Sequence, residues 1–454
     1  MIPATAPTVG IDFGTTNTVV AITDPDGEAV VLRFDAPTGE VTAFRSTLSF
    51  QVRPAVGSQA SERVVEAGPW AIDAYVEEAL ETRFIQSFKT FAASAAFTDT
   101  VIDNRRYKFE DLLGAFLLRL RAHGGERMAV LPPRVIVGRP VTFAGGAPDE
   151  QLALGRYEAA FARLGFTDIR YAYEPIGAAF FFARTLEADA NVLVADFGGG
   201  TSDFSIVRFE RSPEGLRSTP LARSGVGVAG DAFDYRIIDH LVSPELGKDG
   251  EYQSFGKTLP IPQRYYAAFA RWDQLALLRA SKDMRDIRAL ARTALEPDKL
   301  DRMIEILDDN HGYALYRAVS ALKMDLSSRD EASFSFVAGS ICIEKPVSRS
   351  QFEAWIAPDL AAIEKAVDEA MERSGLAIDQ IDRIFLTGGT SFVPAVRDIF
   401  QRRFGPDRIE TGGEFESIAS GLALIGREPD LDVWSERRTP LSGAISSGRR
   451  TVSS

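Results

Sequence analysis

The stretch ADFGGGTSDFSIV, residues 195–207, decides the fold. Asp196 ends an apolar run and is followed by Phe197, three glycines and Thr201, and then by a segment that alternates apolar and polar residues. A second version of the phrase, GIDFGTTNTVVAI at residues 10–22, repeats the order apolar run, Asp, Phe, Gly, Thr and alternating strand. Alternation with period two marks a strand and glycine marks a turn, so each copy reads as a hairpin and not as a strand running into a helix. The order hairpin, helices, strand, helix and then hairpin again implies two similar α/β lobes with a cleft between them.

Composition sets the limits. The chain of 454 residues is long enough for two lobes with a core in each. Its hydrophobic content of 45% and charged content of 25% are ordinary for a globular protein. A formal charge of −13 opposes a large nucleic-acid or anionic-membrane footprint, so a phosphate ligand must be held by local backbone NH groups, a lysine or two and a metal ion. Cys342 has no second cysteine to pair with, and His123, His240 and His311 are scattered without metal-ligand spacing, which sets structural zinc aside. There is no basic, apolar leader and no run of ~18 apolar residues, so a cytoplasmic protein is expected. The polar, Ser-, Gly- and Arg-rich segment 427–454 is expected to be a flexible tail.

Along the chain, lobe I is expected over 1–187, with a subdomain insertion at about 40–110 that contains Lys89. Lobe II is expected over 188–426, with an enlarged, mostly helical insertion at about 231–326. The segment YEPIGAAFFFARTLEA, residues 173–188, reads as a helix opened by Pro175, and its Gly177, Ala178 and Ala179 would let another helix come close. In DKLDRMIEILDD, Leu300, Met303, Ile304 and Leu307 share one face. The next helix buries Leu315, Val319, Leu322 and Leu326 and turns Ser320, Lys323 and Ser327 toward a ligand. RIFLTGG, residues 383–389, reads as a buried strand leading to the helix VPAVRDIFQRRF. A last helix at about 416–426 is expected to pack back on lobe I.

The two hairpins make chemical sense if they face each other across a polyphosphate. Glycines admit close approach of backbone NH groups, threonine hydroxyls donate hydrogen bonds, and Asp12 and Asp196 are placed to hold a hydrated Mg²⁺. One hairpin alone would be explained equally well as an unrelated glycine turn; two copies and a third motif favour the phosphate reading. That third motif, FLTGGTSFVP at residues 385–394, puts Gly388 and Gly389 between a strand and a helix, where a nucleoside or phosphate can approach a helix N-terminus.

These segments resemble a known family. GIDFGTTNTVVAI, YEPIGAAFFFA, VADFGGGTSDFSIV and IFLTGGTSFVPAVRDIF are similar to the first phosphate, connecting, second phosphate and adenosine motifs of the actin-like ATPase superfamily. Asp203 and the spacing to GVGVAGDAFDYRIIDHLV resemble the seventy-kilodalton heat-shock (DnaK-type) chaperones, and GRPVTF fits the chaperone-like YegD group, which has the ATPase domain and no ordinary peptide-binding domain. The resemblance covers residues 9 to about 426. It implies a two-lobed, ribonuclease H-like duplicated fold with a central nucleotide cleft, ATP or ADP and Mg²⁺ as cofactors, and slow ATP hydrolysis. It implies that Lys89, Glu174, Asp196 and Thr201 are catalytic. Gly14, Thr15, Thr16, Asn17, Gly198, Gly199, Gly200 and Gly230 would surround the phosphates, and Asp12, Asp196 and Asp203 the metal. Adenosine would lie against Lys323, Ser327, Gly388 and Gly389. For Lys89, whose neighbours match loosely, a snorkelling surface lysine stays open.

Where the chaperones place two arginines around adenine, this chain has Met324 and Phe392, so a base would stack on a thioether and a ring. Two other glycine patterns are set aside: GVGVAG (Gly225, Gly227, Gly230) lacks the acidic residue of a dinucleotide fold, and GEYQSFGKT has Glu251 where a P-loop needs glycine. The functional expectation is a Mg-dependent, chaperone-like ATPase whose lobe closure is read by a protein partner, with no ordinary peptide-binding domain after residue 426. The alternatives are a non-hydrolysing ATP sensor, an actin-like filament protein, or a small-molecule kinase of the same superfamily.

Overall fold

Two sheets with the same strand order form the frame. In the computed structural model, residues 6–53, 62–78, 81–212, 215–271, 275, 278, 281–410, 412–413 and 416–438 are described. The first sheet comprises β1 (Thr8–Phe13), β2 (Asn17–Thr23), β3 (Ala29–Val31), β4 (Arg134–Arg139) and β5 (Asp168–Tyr173), in the order β5-β4-β1-β2-β3, with the short strand Phe44–Arg45 also paired to β2. The second comprises β6 (Ala190–Phe197), β7 (Ser202–Ser212), β8 (Gly215–Val226), β9 (Arg383–Thr387) and β10 (Ile409–Glu410), in the order β8-β7-β6-β9-β10. In both, the first three strands run antiparallel and the last two join the first in parallel. The central strands explain themselves: every residue of RVIVGR is buried, and so are all but one of ANVLVADF, as strands covered on both faces require.

The duplication reaches the level of register. Asp12 pairs with Val19 across the first hairpin, and Asp196 pairs with Asp203 across the second. Each hairpin closes on the same turn, with Gly14 N donating to Asn17 O at 2.9 Å and Gly198 N donating to Thr201 O at 2.9 Å.

Four helices position the cleft: α1 (Glu174–Ala183), α2 (Gly230–Ile237), α3 (Gly312–Ser328) and α4 (Ser417–Ile425). The helix expected over 173–188 ends at Ala183, and turns follow it. Although α4 comes last in the chain, it lies on the first sheet, where Ala419 and Ala423 pack on Val19 and Ala21. It also crosses α1 so closely that a Cβ on Gly421 would run into the Gly177 carbonyl. Only glycine at the crossing permits this approach.

Two insertions complete the lobes. The first holds a three-stranded sheet of Thr47–Arg53, Glu62–Ala67 and Arg83–Gln86, followed by the one-turn 3-10 helix Phe88–Phe91 that carries Lys89. The second combines helices with the hairpin Glu251–Ser254/Lys257–Pro260, so GEYQSFGKT is a β-hairpin. On the helix Pro297–Asp308, Leu300, Met303 and Leu307 are buried together with Ile306, while Ile304 is only half-buried. All four apolar residues expected inside α3 are buried.

The tail expected from residue 427 departs from its reading. Leu431 and Trp434 are buried, with the Trp434 ring 4.8 Å from that of Phe180. Glu436 exchanges both backbone hydrogen bonds with Tyr171 on the free edge of β5, each at 2.9 Å. Arg170–Asp432, Arg139–Glu436, Arg437–Asp168 and Arg438–Glu158 ion pairs flank that bridge. Two apolar anchors and an open strand edge hold a segment whose average composition is polar; residues 439–454 lie outside the described residues.

Candidate functional site

The centre of the cleft is built from strand ends. Asp12 and Asp196 stand near the ends of β1 and β6. Glu174 opens α1 directly after β5, in the first turn, where the helix dipole favours an acid. Gly138 on β4 leaves room for it, since a Cβ there would come within 3.0 Å of Glu174 Cγ. The first insertion brings Lys89 to the same point. Its ammonium meets the Glu174 carboxylate at 2.8 Å, with the side chains 9% and 6% exposed, and lies 5.9 Å from the centre of the Phe13 ring. Lys89 is therefore a buried, paired lysine and not a snorkelling one.

The electrostatics are lopsided. Asp12, Glu174, Asp196 and Asp203 act on one another, and the Lys89 ammonium opposes the rise of Asp12 and Asp196. Burial and the charge of Glu174 push the Asp12 carboxyl up to about 7, against the pull of Lys89. Burial, Glu174, Asp12 and Asp203 hold Asp196 well above the usual carboxylate range. Asp203 is likewise pushed up to about 7, by burial and then by Glu174. Burial lowers the Lys89 ammonium, but the attraction of Glu174 and Asp12 outweighs it and leaves the group above its ordinary value. Carboxylates that raise one another in this way form a donor set suited to a hard divalent cation bound through oxygen and water.

The two turns face each other. A Cβ on Gly199 would lie 2.8 Å from Thr16 Oγ1 and 3.3 Å from Thr15 Cβ, and one on Gly200 would lie 3.7 Å from Thr15 Oγ1. The first turn is fixed from outside: Ser46 Oγ donates to Gly14 O at 2.7 Å, Ser46 N to Thr16 O at 2.9 Å, and Arg45 Nη1 to Asn17 Oδ1 at 3.1 Å. The second is tied to α2 by Asp231 N donating to Gly199 O at 2.8 Å, and to the third motif by Thr390 Oγ1 donating to Gly198 O at 3.3 Å. Gly388, at φ +82°, presses on the Phe197 backbone, and a Cβ would not fit there. The three glycine motifs are thus one contiguous surface. Sequence reasoning gave no role to Ser46, Asp231 or Thr390; Asp231 follows Gly230 directly, which was a usable signal, whereas Ser46 acts only through tertiary contact.

Other expected residues are placed differently. Asp203 is fully buried, and its Oδ1 accepts from Val141 N at 2.9 Å and Thr142 N at 3.2 Å. It joins the second hairpin to the loop after β4 through Oδ1, while its Oδ2 is buried without a hydrogen-bond partner among the described residues. Gly225, from the GVGVAG pattern, lies against that same oxygen, so its lack of a side chain serves Asp203. Lys323 pairs with Asp234 at 2.7 Å and donates to Gly230 O at 3.2 Å. The Ser327 hydroxyl donates to Lys323 O at 2.9 Å. Gly389 is exposed, as are Met324 at 71% and Phe392 at 46%.

With that geometry in hand, comparison with known proteins is informative. The family model described as Hsp70 protein matches residues 158–253 and 289–431, together more than half of the chain. A chaperone protein DnaK of Mycoplasmopsis synoviae is 25% identical over 426 residues, covering 92% of this chain and 58% of the relative. DnaK of Thermus thermophilus is 25% identical over 463 residues, covering 96% of this chain and 64% of the relative. DnaK of Deinococcus proteolyticus is 23% identical over 436 residues, with shares of 92% and 59%. The chain thus spans less than two thirds of the length of these relatives. Among the described residues, no helix is long and apolar enough to cross a membrane.

Proposed function

The chain belongs to the Hsp70 family, and from that premise we propose that it binds and hydrolyses Mg·ATP between its two hairpins and presents the closed state to a protein partner in a chaperone-type cycle. The observation that carries this reading is the pair of turns, each closed by the same backbone hydrogen bond, that face each other beside the buried Lys89–Glu174 pair.

Backbone NH groups of the turns at Gly14–Asn17 and Gly198–Thr201, with the hydroxyls of Thr15, Thr16 and Thr201, would cradle the phosphates. Asp12 and Asp196 would hold Mg²⁺. The ion supplies charge neutralisation at the phosphate oxygens. Glu174 and Lys89 would hold the attacking water, one accepting its proton hydrogen bond and the other donating to its oxygen, in line with the leaving group. Asp203 positions the loop at Val141–Thr142 against the second hairpin. Adenosine would lie on Gly388 and Gly389 beside Lys323 and Ser327, with the exposed Met324 and Phe392 offering a thioether and a ring to the base.

The test is phosphate release from Mg·ATP by the intact protein beside Lys89→Ala and Asp196→Asn, with nucleotide binding measured on the same samples. Lys89→Ala is expected to lower turnover by about 10²-fold or more, the scale for removing one preorganised donor, while ATP still binds. Binding without turnover in the unmutated protein would favour the sensor reading, and ADP formation stimulated by a sugar would favour the kinase. Failure to bind any nucleotide would overturn the proposal.

A further inference from the structure

Away from the carboxylates, a cavity of about 360 Å³ lies between the two insertions. Phe84, Phe91, Phe97 and Phe109 line it from the first lobe, and Ile306 and Tyr313 from the second. At its edge the lobes are clasped, with Tyr75 Oη donating to Asn310 O at 2.5 Å and the Tyr75 ring 4.7 Å from Phe84 and 5.9 Å from Tyr313. The clasp bounds the space, which suits a small molecule better than a chain running through it. The volume lies at the lower end of the range for small-molecule sites.

The lining defines the chemistry. Rings and aliphatic side chains favour an aromatic body. Of the charged groups at the wall, Arg83 and Asp103 already have partners, and Glu81 is exposed to solvent that screens its charge, so the wall favours a neutral ligand over an ion. The Gln86 carboxamide makes no side-chain hydrogen bond among the described residues and stands as an unengaged polar group at the wall. Gln86 and Tyr313 also line a narrow recess whose other walls include Thr15 and Thr16 of the first turn and Ser46, which fixes that turn from outside. The inner wall of the cavity is formed by Phe88 and Phe91, the two ends of the turn that carries Lys89.

The geometry points to a second ligand site: a neutral aromatic molecule with one hydrogen-bonding group, held between the lobes with that group on Gln86. Because such a ligand touches both lobes, it binds the closed arrangement better and shifts the population toward it, and nucleotide and ligand must then strengthen each other's binding. The site itself is independent of the ATPase reading; only its coupling to nucleotide rests on that reading.

The experiment titrates the intact protein with 2-naphthol and with naphthalene, by fluorescence and calorimetry, with and without Mg·ATP. Saturable one-to-one binding of 2-naphthol is expected. Tyr313→Ala should weaken both probes about tenfold through loss of the stacking wall. Gln86→Leu should abolish the preference for 2-naphthol over naphthalene and leave naphthalene binding in place, a discrimination that mere loss of structure does not produce. Unfolding curves of both variants establish that they are folded. No saturable binding, equal binding by Tyr313→Ala, or one-for-one displacement of 2-naphthol by ATP would overturn the proposal. Naphthol binding by a protein that binds no nucleotide would leave this site standing and remove the ATPase reading.

Discussion

Replacing Lys89 by methionine keeps an unbranched stem and removes the ammonium. In the folded protein that ammonium is nearly sealed from water, 2.8 Å from Glu174 and close enough to Asp12 and Asp196 to oppose the rise in both their pKa values. Breaking a buried pair by deleting one partner costs about 3–5 kcal/mol, because the remaining charge is left without compensation. Here the remaining charge stands in a group of carboxylates, so the upper part of that range applies. For a lobe of this size the loss corresponds to a fall in melting temperature on the order of 10 °C. Removing the second charge as well, in Lys89→Met/Glu174→Gln, should return about 1–2 kcal/mol, since neutral groups of similar volume tolerate burial better than a lone ion.

The assay is chemical and thermal unfolding of the two singles and the double, without nucleotide and with Mg²⁺ added. Magnesium should raise the stability of Lys89→Met more than that of the unmutated protein, because a divalent cation can replace the missing positive charge. A single variant within about 0.5 kcal/mol of the parent, as expected for exposed ion pairs, would refute the electrostatic account of the cleft. So would a double variant that loses the sum of the singles.

Two further outcomes follow from packing. Gly421→Ala places a methyl group against the Gly177 carbonyl, and the overpacking should cost about 1–3 kcal/mol or more despite the better helix propensity of alanine; Gly146→Ala, with open space around it, should be near neutral in the same unfolding measurement. The Tyr157 hydroxyl is buried without a hydrogen-bond partner among the described residues, so Tyr157→Phe should leave stability unchanged or raise it by about 1 kcal/mol, and a fall of that size in the unfolding free energy would contradict the packing described.

What the sequence disclosed, and what it withheld, follows from the range of the interactions. The hairpins at residues 10–22 and 195–207 were legible because strand alternation and glycine turns are local. The small residues Gly177–Ala179 were legible as a helix contact for the same reason, although their partner Gly421 was not. Lys89 was ambiguous in the sequence because nothing local distinguishes a solvated lysine from one carried by a 3-10 turn onto Glu174. The start of the tail was misread because Leu431 and Trp434 are two anchors in a polar background, and the edge of β5 that receives Glu436 is visible only once the sheet is assembled. Asp203 read as a companion of Asp196, yet its engagement by Val141 N and Thr142 N depends on a loop from the other lobe.

The duplicated frame also shows where chemistry can enter. Turns closed by the same hydrogen bond and identical strand orders give two equivalent surfaces on the cleft, and symmetry alone would give a clamp without a reacting centre. The differences lie at equivalent positions. Where the first hairpin has Val19 opposite Asp12, packed beneath α4, the second has Asp203 opposite Asp196, tied across the cleft to the loop after β4. The first lobe alone contributes the insertion that delivers Lys89, and α1 delivers Glu174 to meet it. The repeat supplies the grip, and the departures from the repeat supply the acid, the cation and the contact between lobes on which a response to nucleotide would depend.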